Sequence, residues 1–441
     1  MRNDKPKKLM YLEKILRLMS VLILKKYHPR VIGITGSVGK TSAKEAIFTV
    51  LASKYQTRKN EKNYNNEIGL PLTILGTETG GDSLAGWMKV FLKWSGLVAF
   101  PVKYPEFLVL EMAADREGDI KYLVDFVKPE LGVITDISGS HLEFFKTLDG
   151  ITKEKGYLAK NVKEKGVAIL NIDNPQLKKF KQEIKSRVLT FGFEDLADVR
   201  ATDVTYNYAI NEMNGKRELK GLTFKLNYKG TSMPMRLNNI LASHSIYSAL
   251  AGIAVGIEMG LNLVDIGHAL ENFTLPKGRM NLIQGIKNTI IIDDTYNSSP
   301  VSTFAALSVF KNIEASRKIA VLGDMLELGD NTESGHQEVA KDFLKSGGDI
   351  FIGVGHRMET AIRELKKHNI SPDRLYHFSS PMEAGLKLQE IMREGDLVLV
   401  KGSQGMRMEK IVEEIMTEPL RAKDLLCRQD VKWKKKEWKE V

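Results

Sequence analysis

Residues 31–52, VIGITGSVGKTSAKEAIFTVLA, run from an apolar strand through a glycine-rich turn directly into a helix. This succession constrains the chain more than any other feature, because a helix leaving a strand in this way packs back on the sheet and sends the next strand in parallel. Further apolar strands are expected at FLVLEMA (107–113), LGVITDI (131–137) and VAILNI (167–172), with helical spacing between them. The alternation predicts a largely parallel sheet flanked by helices. Between about 198 and 237, short alternating segments such as LTFKLNY (222–228) predict an antiparallel patch, and the small-residue run 242–260 predicts a helix. Past Lys277-Gly278-Arg279 a second α/β unit is expected from TIIIDD (289–294), KIAVLGD (318–324), DIFIGVG (349–355) and DLVLVKG (396–402).

The 441 residues carry a net charge of +10 and one cysteine, Cys427. A single thiol builds neither an internal disulfide nor a zinc or iron–sulfur site, which points to a reducing compartment and so to the cytoplasm. The charge sits at the two ends. Residues 1–30 hold nine Lys/Arg against Asp4 and Glu13, residues 417–441 hold eight against five acids, and residues 31–416 balance. An enzyme of nucleic acids carries its cations along a groove in its body, so no nucleic-acid partner is expected. Residues 9–24, LMYLEKILRLMSVLIL, are broken by Glu13, Lys14 and Arg17 and are too short and too charged to cross a bilayer. They fit an amphipathic helix packed on the next domain, or one lying on the inner face of an anionic membrane. Residues 84–102, with two of the four Trp, fit a buried lid or an interfacial helix.

TGSVGKT (35–41) has the setting of a phosphate cradle, where backbone N–H groups converge at a helix N-terminus whose dipole favours negative charge. Gly36, Ser37, Gly39, Lys40, Thr41 and Ser42 are the expected nucleotide contacts, with Lys40 on the β- and γ-phosphates and the Thr41 hydroxyl on Mg²⁺. The common form of the motif has glycine where this chain has Ile34; here glycines stand at 33, 36 and 39. Glu111 ends one strand and His141 follows another after a Ser/Gly turn, so both belong at the carboxyl edge of the sheet with the loop. Alone, Glu111 reads as a solvated strand-end carboxylate and His141 as a helix cap; beside the loop they form a magnesium site. Lys155 joins them only as a carbamate, because an ammonium repels the metal whereas a carbamate offers anionic oxygens.

Eight blocks in order carry a family resemblance: TGSVGKTSAKE (35–45), NYNNEIGLPLTIL (63–75), LEMAADREGDIKYL (110–123), HLEFFKTLDGITKEKG (141–156), LNIDNP (170–175), IDDTYNSSP (292–300), LGDMLELG (322–329) and KGSQGMRME (401–409). On these blocks the chain resembles the Mur ligases, the ATP-dependent amino-acid ligases of peptidoglycan synthesis. NYNNEIGLPLT together with LGDMLELG points to the members that add D-alanyl-D-alanine. The resemblance implies an α/β fold class with a P-loop central domain of mostly parallel sheet plus a C-terminal Rossmann-like α/β domain. The expected division is a basic N-terminal segment (1–30), the ATP-binding domain (31–276), the C-terminal ligase domain (277–416) and a basic tail (417–441).

The resemblance also implies ATP and Mg²⁺ as cofactors, with Thr41, Glu111, His141 and a carbamylated Lys155 around the metal. Lys40, His141, Lys155 and Arg279 form the implied catalytic set, Arg279 reaching the nucleotide from the C-terminal side. Asp294, Tyr296 and Asn297 are that domain's implied share of the ATP site, while Asn65 and Asn66 look like part of a loop that positions phosphates and acceptor. Family members open with a domain that holds the UDP-sugar end of the substrate, and the expectation here is a chain without it. Ser245 and Ser248 stand where the family has amides near adenine, Ser299 where it has Asn, and Gln404 where it has Arg. Small-molecule substrates, a muramoyl-peptide and a dipeptide, are the expected partners of a monomer, with residues 1–30 offering a contact to membrane or protein. The alternatives are a ligase with another acceptor, of the folylpolyglutamate synthase kind or acting on lipid-linked precursors, and an ATP-dependent membrane-associated switch that makes no amide.

Overall fold

Apolar runs of four to six residues, buried along nearly their whole length, become the parallel strands of the first sheet, as coverage of both sheet faces by helices requires. The computed structural model describes residues 7–61, 64–139, 145, 147–210 and 217–434. Two units divide the chain: one spans Met1–Thr205, Thr223–Asn238 and His244–Thr274, the other Tyr206–Leu222, Asn239–Ser243 and Leu275–Val441.

Up to residue 274 the elements are α1 (Lys7–Tyr27), β1 (Arg30–Thr35), α2 (Lys40–Ala52), β2 (Thr57–Lys59), α3 (Gly69–Leu75), α4 (Leu84–Ala99), β3 (Phe107–Glu111), α5 (Asp119–Val127), β4 (Leu131–Ile134), α6 (Leu148–Lys160), β5 (Val167–Asn171), α7 (Pro175–Phe180), β6 (Arg187–Gly192), β7 (Val199–Ile210), β8 (Arg217–Tyr228), β9 (Thr231–Asn238), α8 (Ile246–Glu258) and α9 (Leu263–Leu270). The sheet runs β2-β3-β1-β4-β5-β6-β7-β8-β9. Strands β2 to β6 are parallel, and the register sets Ile34 beside Glu111 and Thr35 beside Ile134. Of the antiparallel patch expected over 198–237, the β8–β9 hairpin is found, closed by Lys229 and Gly230, both at positive φ as a tight two-residue turn demands, whereas β7 begins by pairing with β6 in parallel, Val199 beside Phe191.

The small-residue helix has a packing reason. A Cβ on Gly252 would meet the Ala46 backbone at 3.2 Å, and one on Gly256 would meet Val50 Cγ1 at 2.8 Å, so α8 lies directly against α2. Helix α1 buries Leu16, Met19 and Ile23 in the core shared with Leu70, Val90 and Leu123.

In the second unit come β10 (Asn281–Gly285), β11 (Thr289–Asp294), α10 (Pro300–Asn312), β12 (Arg317–Gly323), α11 (Thr332–Lys345), β13 (Ile350–Val354), α12 (Met358–Lys366), β14 (Leu375–Phe378), α13 (Pro381–Ile391), β15 (Asp396–Lys401) and α14 (Glu409–Ile415). Its sheet order is β10-β11-β15-β12-β13-β14, parallel except for β10, with an apolar layer on each face. This is the Rossmann-like arrangement. Among the described residues no helix is long and apolar enough to cross a membrane.

Candidate active site

The turn between β1 and α2 is built by what it touches. Gly39 caps α2 with a left-handed backbone (φ 82°), a conformation that side chains resist. A Cβ on Gly36 would fall 2.1 Å from Thr135 Oγ1. The end of β4 secures the loop: Ser37 N–H donates to Asp136 O (2.8 Å), Ser138 N–H to Ser37 Oγ (3.0 Å), and Thr135 Oγ1 to Val38 O (2.5 Å). Lys40 curls back so that Nζ donates to Gly36 O (2.8 Å) and Ser37 O (3.2 Å), which holds the ammonium over the loop. Thr41 and Ser42 lie half-buried in the first turn of α2. With its dipole and converging N–H groups, this end of the helix fits a polyphosphate.

Glu111, at the end of β3, is buried but not solvated, contrary to the usual state of a strand-end carboxylate. Its Oε1 accepts from Asn65 Nδ2 (3.1 Å), and Oε2 lies 3.7 Å from Lys44 Nζ. Asn60 brackets the same residue, accepting from Glu111 N–H (2.8 Å) and donating to Glu111 O (3.2 Å). Lys44 and Asn60 belong to the site yet escaped the sequence reading. The available signal for Lys44 was its position one helical turn after Lys40, on the side of α2 that carries Ala43, Ile47 and Val50 into the core. Asn66 holds the turn that leads into α3: its Oδ1 accepts from Ile68 N–H (3.2 Å) and Gly69 N–H (2.9 Å). His141 lies outside the described residues.

Lys155 on α6 is 2% exposed. Burial, and then the positive charge of Lys40, pull its amine down to about 8, partly opposed by Glu154 and Asp115. Near pH 7.5 roughly a quarter of such an amine is neutral and able to add CO₂. Its neighbour Glu154 accepts from Gly118 N–H and Ile120 N–H, both at 2.8 Å, and so fixes the start of α5 against α6. Among the described residues no cluster of three or more His, Cys, Asp or Glu forms a metal cage. The donors that suit Mg²⁺ are Glu111, the Thr41 hydroxyl and a carbamate on Lys155, an oxygen set of the kind a small hard cation takes alongside phosphate and water.

The second unit brings its own set together. Arg279 lays its guanidinium over the Tyr296 ring (4.4 Å), and Tyr296 N–H donates to Gly278 O (2.9 Å). Asp294 Oδ2 pairs with Lys401 Nζ at 2.6 Å, and the same ammonium donates to Asn297 O at 3.0 Å. Lys401 and Arg428, which donates to Tyr296 O (3.1 Å), are the residues that sequence reasoning missed here. Ser299, where the family has Asn, caps α10 in a reciprocal pair with Ser302.

Parallel sheets with a phosphate loop at the carboxyl edge of the first define a P-loop nucleotide-binding α/β protein of two units. The chain belongs to the Mur ligase family: residues 34–256 match the Mur ligase middle domain, and residues 278–404 match the Mur ligase, glutamate ligase domain. It is similar to the UDP-N-acetylmuramoyl-tripeptide–D-alanyl-D-alanine ligase of Bacillus subtilis, 31% identical over 398 residues that cover 90% of this chain and 78% of the relative. Among solved structures, MurF from Acinetobacter baumannii superposes with a TM-score of 0.73 at 26% identity, covering 91% of this chain and 79% of that one. MurF ligase from Thermotoga maritima in complex with ADP gives 0.70 at 25% identity, covering 94% and 86%.

Proposed function

We propose that the protein is an ATP-dependent ligase of peptidoglycan precursor synthesis that joins D-alanyl-D-alanine to the free carboxylate of a UDP-muramoyl-tripeptide. The observation that carries this reading is the gathering of Lys40, Glu111 and Lys155 around one phosphate loop, in a chain whose relatives bear that activity. A substrate carboxylate oxygen attacks the γ-phosphorus of ATP, an acyl phosphate forms and ADP leaves. The dipeptide amine then attacks the acyl carbon, phosphate departs and the amine loses its proton. Two anions must meet in the first step, so the residues needed are ones that neutralise and position. Lys40 and the α2 N-terminus hold the phosphates, and Glu111 with Asn65 sets an anionic oxygen at their side. Mg²⁺, when bound through Thr41, Glu111 and the carbamate of Lys155, supplies charge neutralisation on the phosphoryl oxygens. His141, Arg279, Asp294, Tyr296 and Asn297 complete the assignment. With one cysteine and small soluble substrates, we place the enzyme in the cytoplasm, as a monomer.

Release of ADP by the purified protein tests this directly. Turnover should require the tripeptide and the dipeptide together, and no stimulation by that pair would refute the acceptor assignment. Lys155→Ala should lower turnover by roughly a hundred- to a thousandfold, the scale of losing a preorganised charge partner. Formate or acetate, restoring a carboxylate in the space vacated, should recover part of it. A nucleotide switch without an acyl-phosphate site would keep its turnover in this variant.

A further inference from the structure

Two helices of the first unit turn rows of apolar residues to solvent. Along α1, Tyr11, Ile15, Leu18 and Leu22 form one exposed stripe, turned about a quarter of the way round the helix from the buried Leu16, Met19 and Ile23. Leu18 is 62% exposed. Helix α4 buries only Val90 and Leu97 of its sixteen residues, and Leu84, Met88 and Leu92 recur at intervals of one helical turn on its exposed side. The helices are neighbours at their C-terminal ends, where Lys26 Nζ donates to the carbonyls of Leu97 (2.8 Å), Val98 (2.9 Å) and Phe100 (2.8 Å), and the Tyr27 hydroxyl donates to Leu97 O (2.7 Å). Scattered exposed leucines are ordinary, whereas an apolar stripe on each of two helices that meet at their C-terminal ends marks a contact surface.

Charge identifies what covers them. Residues 83–105 contain no Asp or Glu, and the one acid of α1, Glu13, is buried. Every exposed charged side chain on α1 and α4 is a lysine, among them Lys14, Lys25, Lys89 and Lys93. A second copy applied to the same face by a twofold axis would set lysine against lysine. An anionic bilayer satisfies both components, since its phosphates attract the ammonium groups while Ile, Leu, Met and the lysine stems enter the headgroup boundary. Neither helix is long and apolar enough to cross. We infer that α1 and α4 together form a docking face by which the protein sits peripherally on an anionic lipid surface. The inference does not depend on the ligase reading.

Cosedimentation of the full chain with vesicles of phosphatidylcholine alone, and of phosphatidylcholine mixed with phosphatidylglycerol, tests it. Binding should be at least about tenfold greater to the anionic vesicles and should fall as salt is raised. The double variants Leu18→Ser/Leu92→Ser and Lys89→Glu/Lys93→Glu alter exposed positions only; each should lower vesicle binding roughly tenfold with an unchanged thermal melt. Absence of binding, equal binding to both vesicle types, or variants that bind as the parent does would overturn the proposal. So would light scattering that shows a dimer dissolved by Leu18→Ser/Leu92→Ser without vesicle capture, because a second copy would then cover the face. Should the serine pair melt early, the charge pair decides.

Discussion

Asp293 shows how burial can dominate the chemistry of a single side chain. It is fully buried at the end of β11, its Oδ1 accepts from Thr295 Oγ1 (2.6 Å) and Thr295 N–H (3.2 Å), and its Oδ2 has no hydrogen-bond partner among the described residues. Burial raises its carboxyl to about 7, against the pull of the Thr295 hydrogen bonds. Below the unfolded value near 4 both states are protonated and the group is neutral to stability. As pH rises from about 4 to 7 the unfolded chain ionises first, so Asp293 lowers stability through that window and levels off above it, by at most about 4 kcal/mol. Urea midpoints of Asp293→Asn should therefore gain on the parent between pH 4 and 7, and parallel profiles would show the assignment to be wrong. Lys40, Thr41 and Glu111 were legible as candidates from residue type and position, and Lys155 through the family resemblance. Lys44, Asn60 and Lys401 were not, because each matters through a partner far away in sequence: Lys44 and Asn60 through Glu111, Lys401 through Asp294.

At the scale of elements, the long apolar strands were readable because burial on both faces leaves an uninterrupted run. β1, β3, β4, β5, β11, β12, β13 and β15 all fall where the sequence put them. β2, β6, β10 and β14 were not expected: β2, β10 and β14 are sheet edges, β14 half-buried at all four positions, whereas β6 lies inside the sheet between β5 and β7 and begins on an exposed Arg187 with only four buried residues behind Val188. Helix α1 resolves its two readings by using two sides, one packed on the unit and one open. The sides should separate in experiment. Ile23→Ala, at a fully buried site, should cost about 2–4 kcal/mol in urea denaturation, while Leu18→Ser should leave stability within about 0.5 kcal/mol. Equal costs would mean that the exposed stripe is covered in solution.

For the whole molecule, nucleotide binding and folding are linked. A ligand held only by the native state stabilises it by about 2.7 kcal/mol at a hundred times its dissociation constant. Addition of Mg²⁺ and ADP should raise the thermal midpoint, and chelation of the metal should reverse most of the gain. Gly36→Ala should abolish the shift, since its methyl would collide with Thr135 Oγ1 and displace the loop from the end of β4. A full shift in that variant would show that the nucleotide does not use this loop.

The sequence by itself determined the order of strands and helices, the phosphate loop and the family, because these are local: apolar periodicity, a glycine turn and contiguous blocks need no knowledge of what lies across the fold. It also placed the excess charge at the two ends. The tertiary structure decided what each charge faces. Glu111 is buried between Asn65 and Lys44, Lys155 is desolvated near Lys40, Asp294 is neutralised by Lys401, and the exposed charged side chains of α1 and α4 are all lysines beside exposed apolar residues. Burial and charge pairing depend on distance in space, and distance in space is what chain order does not contain.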